Sequence, residues 1–121
     1  MANILILDDI ESFAITLSEH FQTHGHTAQH VLYAGKALEN VETNQYDFII
    51  IDGSEDVEVR PGRTLTDVLK ELYPSITRVA LTGVHNPYDD PILQEKYDII
   101  LSKWSEIQRI YQMMGLEYNP K

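Results

Sequence analysis

The chain has 121 residues, 19 of them acidic against 9 basic, a formal net charge of −10, and no cysteine. The length suits one domain spanning 1–121, and the missing cysteine excludes disulfides, thiol catalysis and cysteine-based metal sites. The acidic balance argues against nucleic acid and against an anionic membrane surface, both of which favour basic faces.

In chain order, strand-like and helix-like segments alternate. Residues 3–8 are a continuous apolar run, as in a strand covered on both faces. Over 11–23, Phe13, Ala14, Leu17 and Phe21 form one helical stripe, and Gly25 stops that helix. Residues 27–31 read as a weaker strand near an edge. A second helix over 34–43 puts Ala34, Ala37, Leu38 and Val41 on one face. Residues 47–51 are the most apolar strand and are expected at the centre of the sheet.

A polar loop is expected from Gly53 to Gly62. Leu65, Val68, Leu69 and Leu72 then mark a third helix, ended before Pro74. Residues 76–81 form the fourth strand. The 84–97 segment, with Pro87 and Pro91, allows only a short or broken helix. Residues 98–101 form the fifth strand. Trp104, Ile107, Ile110, Tyr111 and Met114 are the expected buried stripe of the last helix, and 117–121 an expected frayed tail. No apolar run is long enough to span a membrane and no signal peptide is legible, so a cytoplasmic location is expected.

Alternating strands and helices imply right-handed crossovers, hence an α/β fold with a doubly wound five-stranded parallel sheet of flavodoxin-like order 2-1-3-4-5 and helices on both faces. Reactive groups in such a sheet sit where strands end. Here the ends carry Asp8-Asp9, Asp52, Thr82 and Ser102-Lys103. Three carboxylates, a hydroxyl and an ammonium make a site for a divalent cation and a phosphoryl group. Singly, each has a plainer reading: Asp9 as a helix N-cap, Asp52 and Thr82-Gly83 as turns, Lys103 as a surface lysine. The histidines His20, His24, His26, His30 and His85 are read as structural or solvated. His20 and His24 have the i, i+4 spacing of helical zinc ligands but lack the intervening Glu.

With Asp8-Asp9, Asp52, Thr82 and Lys103 at these strand ends, the chain resembles the receiver domain of bacterial two-component response regulators over nearly its whole length. The resemblance implies that Asp52 is the phosphoacceptor, with Mg²⁺ as cofactor. Asp9, Asp52 and the Ser54 backbone carbonyl would hold the metal directly, and Asp8 a metal-bound water. Thr82 would hydrogen-bond the phosphoryl group and Lys103 pair with it. Ser54 and Val84 would flank the reaction. The implied donor is a sensor histidine kinase or phosphotransfer protein. With no output domain after Lys121, the implied output is a protein partner docking on residues 84–114, or the domain is a phosphate shuttle or sink. Receivers catalyse their own phosphorylation and dephosphorylation but are signalling modules.

This chain departs from the family at several positions. Trp104 stands where proline usually follows the lysine. Ile100 stands where an aromatic often switches. Gly53-Ser54-Glu55-Asp56 replaces a Met-Pro pair, adding Glu55, Asp56 and Glu58 near a negative pocket. These motivate an alternative, a pseudo-receiver binding a partner constitutively without phosphorylation. A Mg²⁺-dependent aspartyl phosphatase fits less well, because Leu7-Asp8-Asp9-Ile10 lacks the Asp-x-Asp-x-Thr pattern of those enzymes.

Overall fold

A computed structural model describes residues 1–84 and 86–118. His85 and residues 119–121, part of the expected frayed tail, lie outside the described residues. The element order is β1 (Asn3–Leu7), α1 (Glu11–Thr23), β2 (Thr27–Val31), α2 (Ala34–Thr43), β3 (Phe48–Ile51), β4 (Glu58–Arg60), β5 (Arg63–Thr64), α3 (Leu65–Leu72), β6 (Thr77–Thr82), α4 (Pro91–Lys96), β7 (Ile99–Ser102) and α5 (Ile107–Met113). The main sheet is parallel, in the order β2-β1-β3-β6-β7. With the β4–β5 hairpin set aside, this is the expected 2-1-3-4-5 arrangement, with β2 at an edge and β3 central.

The apolar runs are continuous because each strand feeds two cores. Leu5 and Leu7 of β1, with Ile49 and Ile51 of β3, pack with Ala37, Leu38, Leu65 and Leu69 under α2 and α3. Their neighbours Ile4, Ile6 and Ile50 pack with Ala14, Leu17, Phe21, Ile110 and Tyr111 under α1 and α5. Strand side chains alternate between faces, so a strand buried on both sides must be apolar at every position.

Three expectations are corrected. Trp104 is not part of a buried stripe: it is 83% exposed and lies in the turn before α5. That turn closes on Ser102, whose Oγ accepts from the Trp104 N–H at 3.1 Å and whose carbonyl accepts from the Ser105 N–H at 3.0 Å. The helix therefore starts only at Ile107. Leu72, the last residue of α3, is exposed, and the buried face of the helix ends at Leu69. The 53–62 segment is not only loop. It contains a 3-10 turn at Gly53–Glu55 and the β4–β5 hairpin, which turns through Pro61-Gly62 with Gly62 at φ +72°. A side chain is strained at that φ, which is where glycine is favoured.

The short α4 was expected and has clear causes. Pro91 occupies its first position and the Asp90 carboxylate caps it, accepting from Ile92 N–H at 2.9 Å. Tyr118 stacks on His24 at 5.3 Å between ring centroids. Among the described residues, no helix is long and apolar enough to cross a membrane.

His20 and His24, the pair with zinc-like spacing, stack on each other at 4.5 Å and meet Tyr111 edge-on at 5.6 and 5.3 Å. His26 Nδ1 accepts from the Ala2 N–H at 3.0 Å. Burial, then the His24 charge, holds His20 below its ordinary pKa. Burial, then the N-terminal amine and His24, does the same for His26. Below about pH 6.5 the unfolded chain takes up these protons more readily than the folded one. Their stabilising contribution is therefore complete above that pH and is lost as pH falls. The urea midpoint should drop between about pH 7.5 and about pH 5.5, and drop less in His20→Asn, as read by circular dichroism.

Candidate functional site

Strand register assembles the site. Leu7 pairs with Ile51, so Asp8 and Asp52 leave adjacent strands side by side. The Asp52 N–H donates to the Leu7 carbonyl at 2.9 Å, which carries the pairing one residue past the strands. Thr82 pairs with Ser102, and the Lys103 N–H donates to the Thr82 carbonyl at 2.8 Å. β1 and β3 are the neighbours at which the chain's winding reverses, so the crevice lies at the topological switch point.

The Lys103 ammonium bridges the carboxylates. Its Nζ lies 2.9 Å from Asp8 Oδ2 and 3.2 Å from Asp52 Oδ2. It also sits over the Phe13 ring, 5.0 Å from its centroid, a cation–π distance. Asp8 is 2% exposed. Burial works against the Lys103 charge, but the hydrogen bonds it donates to Asp8 and Asp52, with their charges, outweigh it and hold the ammonium above its ordinary pKa.

Asp9 is exposed and completes the acidic set: oxygens of Asp8, Asp9 and Asp52 all lie within 4.8 Å of one another. Asp9 is not consumed as an N-cap. Ile10 takes that position without a side-chain cap, and it is Asp8 Oδ1 that accepts the Ile10 N–H, at 2.9 Å. Asp52 caps the following 3-10 turn, Oδ1 accepting from Ser54 N–H at 3.4 Å. Hard oxygen donors in this number suit Mg²⁺ or Ca²⁺ better than a thiophilic metal.

Of the extra acids, one joins the site and two do not. The Glu55 carboxyl is held above the usual glutamate range by burial first, then by the charges of Asp9, Asp52 and Asp8. Asp56 turns away to Thr66 and Lys96, and Glu58 accepts the Gly62 N–H across the hairpin. Three carboxylates thus gather about one ammonium, an excess of negative charge that a divalent cation would relieve.

Thr82 is 2% exposed, and its Oγ1 accepts from the Val84 N–H at 3.2 Å, which leaves the hydroxyl proton to be directed elsewhere. Gly53 faces it closely. A Cβ there would stand 3.3 Å from Thr82 Oγ1, so a side chain would press on the hydroxyl. Phe13 and Gly53 carry no signal in the sequence as parts of the site. Phe13 reads as core, and Gly53 as an ordinary turn residue.

No protein-family model and no curated protein matches this sequence. Solved structures do. The chemotaxis response regulator CheY4 of Vibrio cholerae is similar at a TM-score of 0.81 and 19% identity, covering 95% of this chain and 97% of that one. The chain has the receiver-domain fold. The response regulator TrrA of Thermotoga maritima, solved in complex with Mg²⁺-BeF, has a TM-score of 0.75 at 20% identity, covering 95% and 97%. A Burkholderia pseudomallei response regulator, solved with a phosphorylated aspartic acid, a calcium ion and citrate, has a TM-score of 0.76 at 21% identity, covering 94% of this chain and 66% of that one. On this receiver fold, the acidic cluster lies at the carboxyl edge of the sheet.

Replacing Lys103 by Met strips the buried Asp8 and Asp52 of their counter-charge. Urea unfolding should show a loss of about 3–5 kcal/mol, as expected when one partner of a buried pair is removed. A divalent cation should restore more of the lost stability in the variant than it adds to the unchanged protein.

Proposed function

We propose that this chain is a phosphorelay receiver, taking a phosphoryl group on Asp52 from a phosphohistidine donor with Mg²⁺ and signalling to a protein partner. The observation that carries the reading is the Asp8–Lys103–Asp52 bridge at the switch point, with Asp9 within 4.8 Å and Thr82 at the adjoining strand end.

The residues divide the work. Asp52 Oδ is the nucleophile: its lone pair forms the O–P bond as the P–N bond of the donor breaks and the imidazole leaves with the electron pair. Mg²⁺ would be held by Asp9, Asp52 and the Ser54 carbonyl, with Asp8 on a metal-bound water, and would neutralise charge on the phosphoryl oxygens. Lys103, already on Asp52, pairs with the incoming group. Thr82 donates its hydroxyl proton to a phosphoryl oxygen. Ser54 and Val84 line the approach.

Thr82 also supports the switching step. A move of its hydroxyl toward the phosphoryl group draws on Val84, whose N–H it accepts. Val84 opens the 84–114 segment, where Tyr88, Ile92 and Trp104 are also exposed. Lys96 turns inward to Asp56 and Lys103 to the site, so that of the described charges of this segment Arg109 is exposed against exposed Asp89, Glu95 and Glu106. The face therefore suits a partner segment presenting apolar anchors among basic side chains. Ile100 is half-buried against the core, so it carries no aromatic switch.

Acetyl phosphate with Mg²⁺ should add one phosphoryl group by intact mass, and Asp52→Ala should abolish the adduct. An adduct that persists in Asp52→Ala, or none in the unchanged protein, overturns the assignment.

A further inference from the structure

After α5 the chain turns back toward the end of α1, and past that turn a single ring holds it. Gly115, at φ +72°, closes the helix: its N–H donates to the Gln112 carbonyl at 3.1 Å, and the Leu116 N–H to the Tyr111 carbonyl at 2.9 Å. Beyond this cap, Glu117 is exposed, and neither it nor Tyr118 makes a hydrogen bond among the described residues. Tyr118 is half-buried beside the core under α1 and α5. Its ring stacks on His24 at 5.3 Å and on His20 at 6.2 Å, and meets Tyr111 edge-on at 5.3 Å. The segment is thus anchored on two titratable rings, themselves stacked at 4.5 Å.

Hydrogen bonds fix where a further proton goes. His24 Nδ1 lies 3.0 Å from the His20 carbonyl, so it carries the hydrogen. The Tyr111 hydroxyl donates to the same carbonyl at 3.3 Å, and its oxygen therefore accepts from His20 Nδ1, also at 3.3 Å. Each imidazole then has its proton on Nδ1 and a bare Nε2, which has no partner among the described residues. Protonation at Nε2 keeps both Nδ1 bonds and puts two like charges on stacked rings. The surroundings do not offset them. The turn into β2 adds His26, β2 places His30 beside Ile6, and the N-terminus adds the Met1 amine. From α5 come the neutral Tyr111 and the exposed Arg109. Glu19 of α1 and Glu117 are exposed, and neither pairs with these rings among the described residues.

We propose that His20 and His24 form a proton-sensitive latch for the C-terminal segment: Tyr118 rests on the neutral pair and leaves it when both rings are protonated. The device is separate from the chemistry of Asp52 and stands whether or not that residue takes a phosphoryl group. A tyrosine face accommodates one imidazolium as a cation–π contact. Two at 4.5 Å repel, and each new Nε2–H needs water that a covering ring excludes. The end of α1 stays in place because its Nδ1 bonds survive. The give comes at Tyr118, which no backbone bond holds. Imidazole titrates near pH 6.5 when unperturbed, and burial holds His20 below that, so the latch is closed at about pH 7.5 and open toward about pH 5. Opening uncovers one side of Tyr111, which is fully buried here and stacks on Phe21 at 5.2 Å. An aromatic surface between α1 and α5 is then presented only in acid.

Backbone ¹⁵N relaxation of the full chain at about pH 7.5 and about pH 5 tests this, with the histidine ring C–H shifts followed in parallel. The heteronuclear NOE of Glu117 and Tyr118 should be that of ordered backbone at the higher pH. At the lower pH it should fall to that of a frayed end, with the sheet amides unchanged. The Tyr118 ring protons should lose their ring-current shift over the same interval. His24→Phe keeps a ring in the stack that takes no charge, and should hold the segment at both pH values. Tyr118→Ala removes a surface ring and spares the core. In that variant His20 should titrate closer to its ordinary value, since coupling between proton and ring is reciprocal. A parent whose Tyr118 NOE is the same at both pH values overturns the latch. So does a His24→Phe variant that releases the segment as the parent does, or a Tyr118→Ala variant whose His20 titration is unmoved. Loss of the sheet's amide dispersion at the lower pH makes the change global and overturns the latch too.

Discussion

The Lys103 ammonium, bonded to both Asp8 and Asp52, is the interaction on which the site depends. These carboxylates are placed side by side by the β1–β3 register, and neither can move without unpairing its strand. Like charges at this separation, out of water, repel strongly. Lys103 offsets that repulsion from the far edge of the sheet, and so ties the ends of β1, β3 and β7 into one unit. The same ammonium lies over the face of Phe13, so α1 also borders the charge balance.

That balance is incomplete. One ammonium answers three carboxylates. The arrangement is organised for added positive charge. Around it, the chain spends its other polar contacts on holding loops: Asp56 joins the site turn to α3 and α4, Asp90 starts α4, and Thr64 and Asp67 form a reciprocal capping box on α3. Acids that look alike in a run of sequence thus divide between ligand-facing and structural tasks according to which element passes nearby.

The sheet was legible because burial on both faces leaves a strong mark: Ile4–Leu7 and Phe48–Ile51 have no polar residue to spare. The Asp8, Asp52, Thr82 and Lys103 positions were legible for a related reason, each being the first polar group after such a run or the last residue within it. Trp104 was misread because helical spacing from Ile107 backward continues through it, and spacing does not show that Ser102 closes a turn there. Leu72 was misread likewise, as a residue in phase with a stripe whose buried face ends at Leu69. The hairpin at 58–64 was passed over as polar loop, although Pro61-Gly62 is a turn signal. The caps on α3 and α4 had signals too, in Thr64-x-x-Asp67 and Asp90-Pro91.

By itself the sequence determined the α/β alternation, the strand order and the chemistry gathered at one edge of the sheet, because these follow from apolar periodicity and from which residue ends each run. Only the tertiary structure decided which charges meet. That Asp52 meets Lys103 while Asp56, at the other end of the same three-residue turn, meets Lys96 depends on elements 51 and 40 positions apart. Phe13 under Lys103, Gly53 against Thr82 and Tyr118 on His24 are likewise contacts between distant segments. Local pattern carries no record of them, because each depends on distances that exist only once the layers have packed.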